Sequence, residues 1–164
     1  MSANLSSLKL DNFYINGEWC APQGTEHFTI LNPATEQSLG ELAMGNSDDV
    51  NRAVVAAKAA FPSYATSTRE ARIAWLQKLL DLYNAGYDEF AELMTLEMGA
   101  PIDYSKAVQA DTGSGHIEAM IEVLGQYQFE QTSAQGDLVY KEAIGVCGLI
   151  TPWNWPVNQV VRKV

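Results

Sequence analysis

Between Ala143 and Ile150 the chain reads AIGVCGLI, a run with no charge and none of the polar alternation that marks a strand with one wet face. A strand apolar on both sides needs sheet neighbours and covering helices, which is the situation of a strand inside a parallel α/β sheet. It leads straight into TPWNWP, Thr151 to Pro156, where two prolines and two tryptophans surround one amide, Asn154. Solvated loops are built mainly from small and polar residues, and this one is stiff and bulky. Pro152 and Pro156 bias Thr151 and Trp155 toward extended backbone, while the indoles restrict the amide's rotamers and exclude water. The feature demands an α/β fold and holds a polar side chain, or a turn, just past the strand.

The rest of the chain has the means to supply a core. Its 164 residues are 47% apolar and 18% charged, a globular composition far from that of disordered chains. Twenty acidic against ten basic residues give a formal charge of -10, which repels phosphate backbones and argues against nucleic-acid binding. Cys20 and Cys147 are far apart, with no CxxC spacing, so neither a disulfide framework nor a zinc site is expected, and a reducing compartment fits. The start, MSANLSSLKLDNFY, lacks the basic and apolar regions of a signal peptide, and no apolar run reaches membrane-spanning length. The expectation is a cytoplasmic protein with no membrane contact and no metal.

Periodicity divides the chain. FYINGEW alternates about Asn16-Gly17, the dipeptide that favours a tight hairpin, and a second hairpin is expected about Asn32-Pro33. From Ser47 the period becomes helical. Helix one is expected over Asp48 to Ala60, with Val50, Val54, Ala57 and Phe61 on one face behind the capping-type start NSDD. A capping box of Ser67 and Glu70 opens helix two, with Ile73, Leu76, Leu80 and Tyr83 inward. Gly86 breaks the pattern, and Gly99 with Pro101 ends a third helix. A fourth carries Val108, Ile117, Ile121 and Leu124 inward. Within it GSGHIE imitates a dinucleotide fingerprint, but it follows no strand and Glu118 stands at the third glycine position, so close packing is the better reason for Gly113 and Gly115. An alternating strand is expected over Asp137 to Glu142 before the apolar run.

This order, with the stretches FYINGEW, NPATEQSLGEL, AVVAAKAAF, TLEMGAP and above all GVCGLITPWNWP followed by NQVVRKV, resembles the N-terminal part of the NAD(P)-dependent aldehyde dehydrogenase superfamily over nearly the whole chain. The resemblance implies an α/β fold: the N-terminal hairpins and helical layer of a cofactor domain, with only the opening strand of its parallel sheet. It divides the chain into 1–135, hairpins and helices; 136–143, a strand of an oligomerisation flap; and 144–164, first strand, catalytic loop and the start of a helix. It implies that Ile150, Thr151, Pro152, Trp153 and Asn154 line the nicotinamide side of a site for NAD or NADP. Asn154 would be the catalytic amide that holds the oxyanion when a cysteine thiolate attacks a small-molecule aldehyde, and Trp155 would stand near the aldehyde entrance. A homo-oligomer is implied for the intact family member. In such members the nucleophilic cysteine and the general-base glutamate lie past the point matching Val164, so these 164 residues alone are expected to be inactive. The alternative is a non-catalytic fragment or subunit-interaction module.

The residues themselves also admit plainer roles. Asn is a favoured helix N-cap, and WPVNQVVRKV begins with a proline suited to a first turn, so Asn154 alone reads first as a cap. Trp153 and Trp155 could equally be packing residues. Cys147, inside an apolar strand, reads as an inert core thiol, and Cys20 as structural. His27 and His116 have no metal-ligand partner at helical spacing and are expected to be no site.

Overall fold

The computed structural model describes residues 10–164; residues 1–9, at the start of the expected 1–135 unit, lie outside the described residues. Strands β1 (Phe13–Ile15) and β2 (Glu18–Cys20) form the first antiparallel hairpin. Asn16 and Gly17 both take positive φ, 55° and 82°, as the tight two-residue turn requires. Strands β3 (His27–Leu31) and β4 (Ser38–Ala43) form the second. Its connection is closed by Asn32, whose Oδ1 accepts from the Ala34 and Thr35 N–H groups and whose carbonyl accepts from Glu36.

Helix α1 (Ser47–Ala65) starts where expected but runs past Ala60, with Pro62 inside its last turns. Asn46 caps it and Asp49 completes a capping box. The buried Asp49 carboxylate also accepts from the backbone N–H groups of Gln23 and Gly24, at 2.8 and 3.2 Å, and pairs with Arg52, so it ties the β2–β3 connection to the helix. Of the expected apolar stripe, Val54 and Phe61 are half-buried while Val50 and Ala57 are exposed, because α1 packs chiefly on β1. Helix α2 (Arg69–Ala85) is capped by Thr68 rather than Ser67: Thr68 Oγ1 accepts from Ala71 N–H, while Ser67 Oγ donates to the Tyr64 carbonyl and accepts from Arg72 Nε. The cap is therefore one residue later than expected, and with Ala71 three residues on it forms no capping box.

Helix α3 (Tyr87–Met98) follows the break at Gly86 and ends at Gly99, whose φ of 79° is left-handed. The fourth helix is not uniform. α4 (Ile102–Tyr104) passes into a π-helical segment (Ser105–Ala110) and then α5 (Asp111–Gln126). The wider turn displaces carbonyls from their usual partners. The Tyr87 and Tyr83 hydroxyls donate to the carbonyls of Lys106 and Ala110 at 2.5 and 2.6 Å. Leu80, Tyr83 and Ile117 form one buried cluster, with Leu76 and Ile121 against it; Ala91, Met94 and Ala110 form another. Tyr87 and Val157 touch both and join them.

A third antiparallel hairpin pairs β5 (Glu130–Thr132) with β6 (Leu138–Tyr140), and both strands are exposed. The expected strand over Asp137 to Glu142 is thus present in shortened form. The expected opening strand, 144–150, is not: it joins no ladder, Ile144 is 92% exposed and Ile150 87%. A strand apolar on both faces is held by neighbours and covering helices, and nothing among the described residues pairs with it. Cys147 is exposed for the same reason, correcting its reading as a core thiol.

Candidate active site

The loop after the apolar run ends in α6 (Pro156–Val161), with Pro156 at the first helical position and Trp155 as the N-cap residue. The Trp155 carbonyl accepts from Gln159 N–H at 3.0 Å. No side chain caps this helix, so Asn154 is not its N-cap. Its amide is exposed and uncommitted to any hydrogen bond among the described residues.

Six residues do not hold a helix by themselves, and α6 is seated by the core. Val157 and Val161 pack against the Leu80–Tyr83–Ile117 cluster. Asn158, 6% exposed, places Oδ1 2.6 Å from His116 Nε2 on α5; a carbonyl oxygen only accepts, so Nε2 carries the proton. Gly113 makes the approach possible, since a Cβ there would lie 2.3 Å from the Tyr83 ring and 2.8 Å from Val157 Cγ1. Gly115 faces open space, so close packing explains one of the two glycines and not the other. Burial raises the Tyr83 pKa to about 12, with smaller contributions from Tyr87 and Asp111, so its hydroxyl remains a donor at neutral pH.

The structure places Ile150, Thr151, Pro152, Trp153 and Asn154 in one exposed stretch, with Trp153 80% exposed. Trp155 is half-buried, and its indole nitrogen is enclosed without a hydrogen-bond partner. The stretch offers apolar surface from Ile150, Pro152 and Trp153 beside the Thr151 hydroxyl and the Asn154 amide. That donor set fits a planar aromatic ring bearing a polar substituent. A cavity of about 720 Å³ lies elsewhere, lined by Phe61, Arg69, Arg72, Tyr127, Phe129 and Lys141 among others, and includes none of Ile150 to Trp155. Among the described residues no three His, Cys, Asp or Glu side chains converge as metal ligands, and no helix is long and apolar enough to cross a membrane. His116 and Asn158 stand 42 residues apart, and no local pattern in the sequence joins them.

The family model for aldehyde dehydrogenases matches residues 19–164. The chain belongs to the aldehyde dehydrogenase family. It is 39% identical over 153 residues to a 3-succinoylsemialdehyde-pyridine dehydrogenase of Pseudomonas sp., covering 93% of this chain and 32% of that protein. Among solved structures, an aldehyde dehydrogenase of Bartonella henselae is 37% identical with a TM-score of 0.88, over 92% of this chain and 32% of its own. A variant of aldehyde dehydrogenase C of Pseudomonas syringae, complexed with NAD+ and octanal, is 37% identical with a TM-score of 0.89, over 93% and 31%. The chain therefore spans about a third of the length of the aldehyde dehydrogenases it matches, and its hairpins and helices have the fold of that part of them.

Proposed function

We propose that these residues serve in the oxidation of an aldehyde to a carboxylic acid with NAD or NADP, and that Asn154 is the side-chain donor to the oxyanion. The observation that carries this reading is the uncommitted amide of Asn154, next to a helix whose cap position is taken by Trp155. An oxyanion donor must be neutral and have an N–H free to donate. Attack of a cysteine thiolate on the aldehyde carbon converts the carbonyl oxygen to an oxyanion in a thiohemiacetal. Asn154 Nδ2–H donates to that oxygen beside a backbone N–H. The nicotinamide, when bound, supplies a two-electron acceptor for the hydride, and water then releases the acid, so that aldehyde, NAD(P)+ and water give acid, NAD(P)H and a proton. Ile150, Thr151, Pro152 and Trp153 cover the nicotinamide side, and Trp155 stands near the aldehyde entrance. Neither cysteine of these residues is proposed as the nucleophile: Cys20 Sγ–H donates to the Phe13 carbonyl and Cys147 Sγ–H to the Gly145 carbonyl, both backbone oxygens that do not accept a thiol proton as a base would.

In the same reading 1–135 carries the hairpins and helices of the cofactor domain, 136–143 a flap strand toward another subunit, and 144–164 the catalytic loop and a segment that becomes the first sheet strand only when sheet neighbours cover it. The enzyme is a cytoplasmic homo-oligomer. A second reading, a module that only binds other subunits, draws on the exposed β6 and 144–150. The test is aldehyde-dependent formation of NADH or NADPH. A full-length enzyme carrying residues 1–164 is expected to form it and the matching acid, and the 164-residue polypeptide alone is expected to form none. Failure of the full-length enzyme with both cofactors across aliphatic and aromatic aldehydes would favour the subunit-binding reading.

A further inference from the structure

We propose that His116 and Asn158 are a positioning pair that fixes the rotation of α6 about its axis and thereby aims the Asn154 amide. The proposal rests on the oxyanion reading above. Helix α6 begins at Pro156, two residues after Asn154, so a rotation of the helix is passed to the amide through Trp155, a short and proline-stiffened link. Two contacts of different kind seat the helix. Val157 and Val161, four residues apart, lie along one line nearly parallel to the axis. Val157 also reaches the Ala91–Met94–Ala110 cluster, but apolar contact is non-directional and sets the distance between helices better than the rotation of one about itself.

Asn158 follows Val157 by one residue, about 100° further round the axis. Its bond to His116 is directional and short, at 2.6 Å, and reaches from α6 to the middle of α5. Asn158 is buried and His116 half-buried, so the bond is partly shielded from water. The other wall of the seat does not yield, because Gly113 brings α5 against Tyr83 and Val157 with no room for a Cβ. One directional bond against a fixed wall sets the rotation that the valines leave soft.

The experiment is steady-state kinetics on a full-length enzyme carrying residues 1–164, with His116→Ala, His116→Gln, Asn158→Ala, the His116→Ala/Asn158→Ala double variant, and Asn154→Ala alongside. Misplacing a catalytic group by about 1 Å costs up to about 100-fold, so His116→Ala is expected to lower kcat by roughly 10- to 100-fold, with aldehyde KM and cofactor affinity within about 2-fold. His116→Gln, whose side-chain N–H can reach the same Oδ1, should restore most of the rate. The double variant should be no slower than Asn158→Ala, since both remove one bond. If His116→Ala does not fold, His116→Phe, which keeps a ring without the donor, carries the same expectation. An unchanged kcat in His116→Ala, or a loss that His116→Gln does not restore, overturns the pair. If Asn154→Ala collapses the rate while His116→Ala leaves it intact, only the pair is wrong; if Asn154→Ala leaves the rate intact, the oxyanion reading fails and the pair with it.

Discussion

At Gly113 a missing Cβ lets α2, α5 and α6 meet, and at Gly115, two residues on, the same absence has no structural use. The two positions give opposite predictions for one substitution. Gly113→Ala gains helix propensity but drives a methyl group into the Tyr83 ring and Val157. Overpacking of that kind costs about 1 to 3 kcal/mol, so a net loss of stability is expected. Gly115→Ala meets nothing within 4 Å and should stabilise by up to about 1 kcal/mol, the usual advantage of alanine in a helix. Urea titrations of both variants check the pair, and equal shifts of the same sign would contradict the packing. The sequence pointed to close approach at both glycines, because GSG marks them equally and the neighbour that separates them, Tyr83, is thirty positions away. The loop that leads into α6 at Pro156 was legible from a dense local motif. The His116–Asn158 bond was not, since its two partners stand on different helices.

Among the elements, α1 has the most specified start. Burial raises the Asp49 pKa, but the backbone N–H groups of Asn46, Gln23 and Gly24, with Arg52, outweigh that and hold the carboxyl below its ordinary range. A folded pKa depressed below the unfolded value of about 3.9 contributes stability that is whole above that value and is lost as pH falls through the folded pKa. Asp49→Asn is therefore expected to be less stable than the parent at neutral pH, with the difference narrowing below about pH 4. Urea midpoints of both proteins across pH 2 to 7 measure it, and parallel curves would contradict it. The helices and the first two hairpins could be read from sequence because their signals are local: a 3.6-residue period, caps, and the dipeptides Asn16-Gly17 and Asn32-Pro33. β5 could not, since Glu130–Thr132 has no apolar alternation and its pairing comes from the following turn, where Ser133 Oγ accepts from Asp137 N–H and Gly136 takes a φ of 91°. The π-helical slip was equally hidden, as it depends on two tyrosine hydroxyls from other helices. The 144–150 strand was legible as a pattern but is not formed, because a buried strand is a property of its neighbours.

Taken whole, the molecule leaves uncovered the apolar surface that its pattern marks for burial: β6, the 144–150 run and Trp153 stand in solvent. Exposed apolar strand edges pair with other chains. The 164-residue polypeptide is accordingly expected to sediment as associated species, and a monodisperse monomer with a sharp cooperative melt would contradict that. The proposed oxyanion role of the Asn154 amide is tested most directly by kcat together with cofactor affinity for Asn154→Ala in a full-length enzyme carrying this stretch. Loss of one oxyanion donor is worth about 10² to 10³ in kcat, and the collapse should lie in the chemical step with NAD affinity nearly unchanged. A rate near that of the parent enzyme, with or without a lowered melting temperature, would contradict the assignment of Asn154.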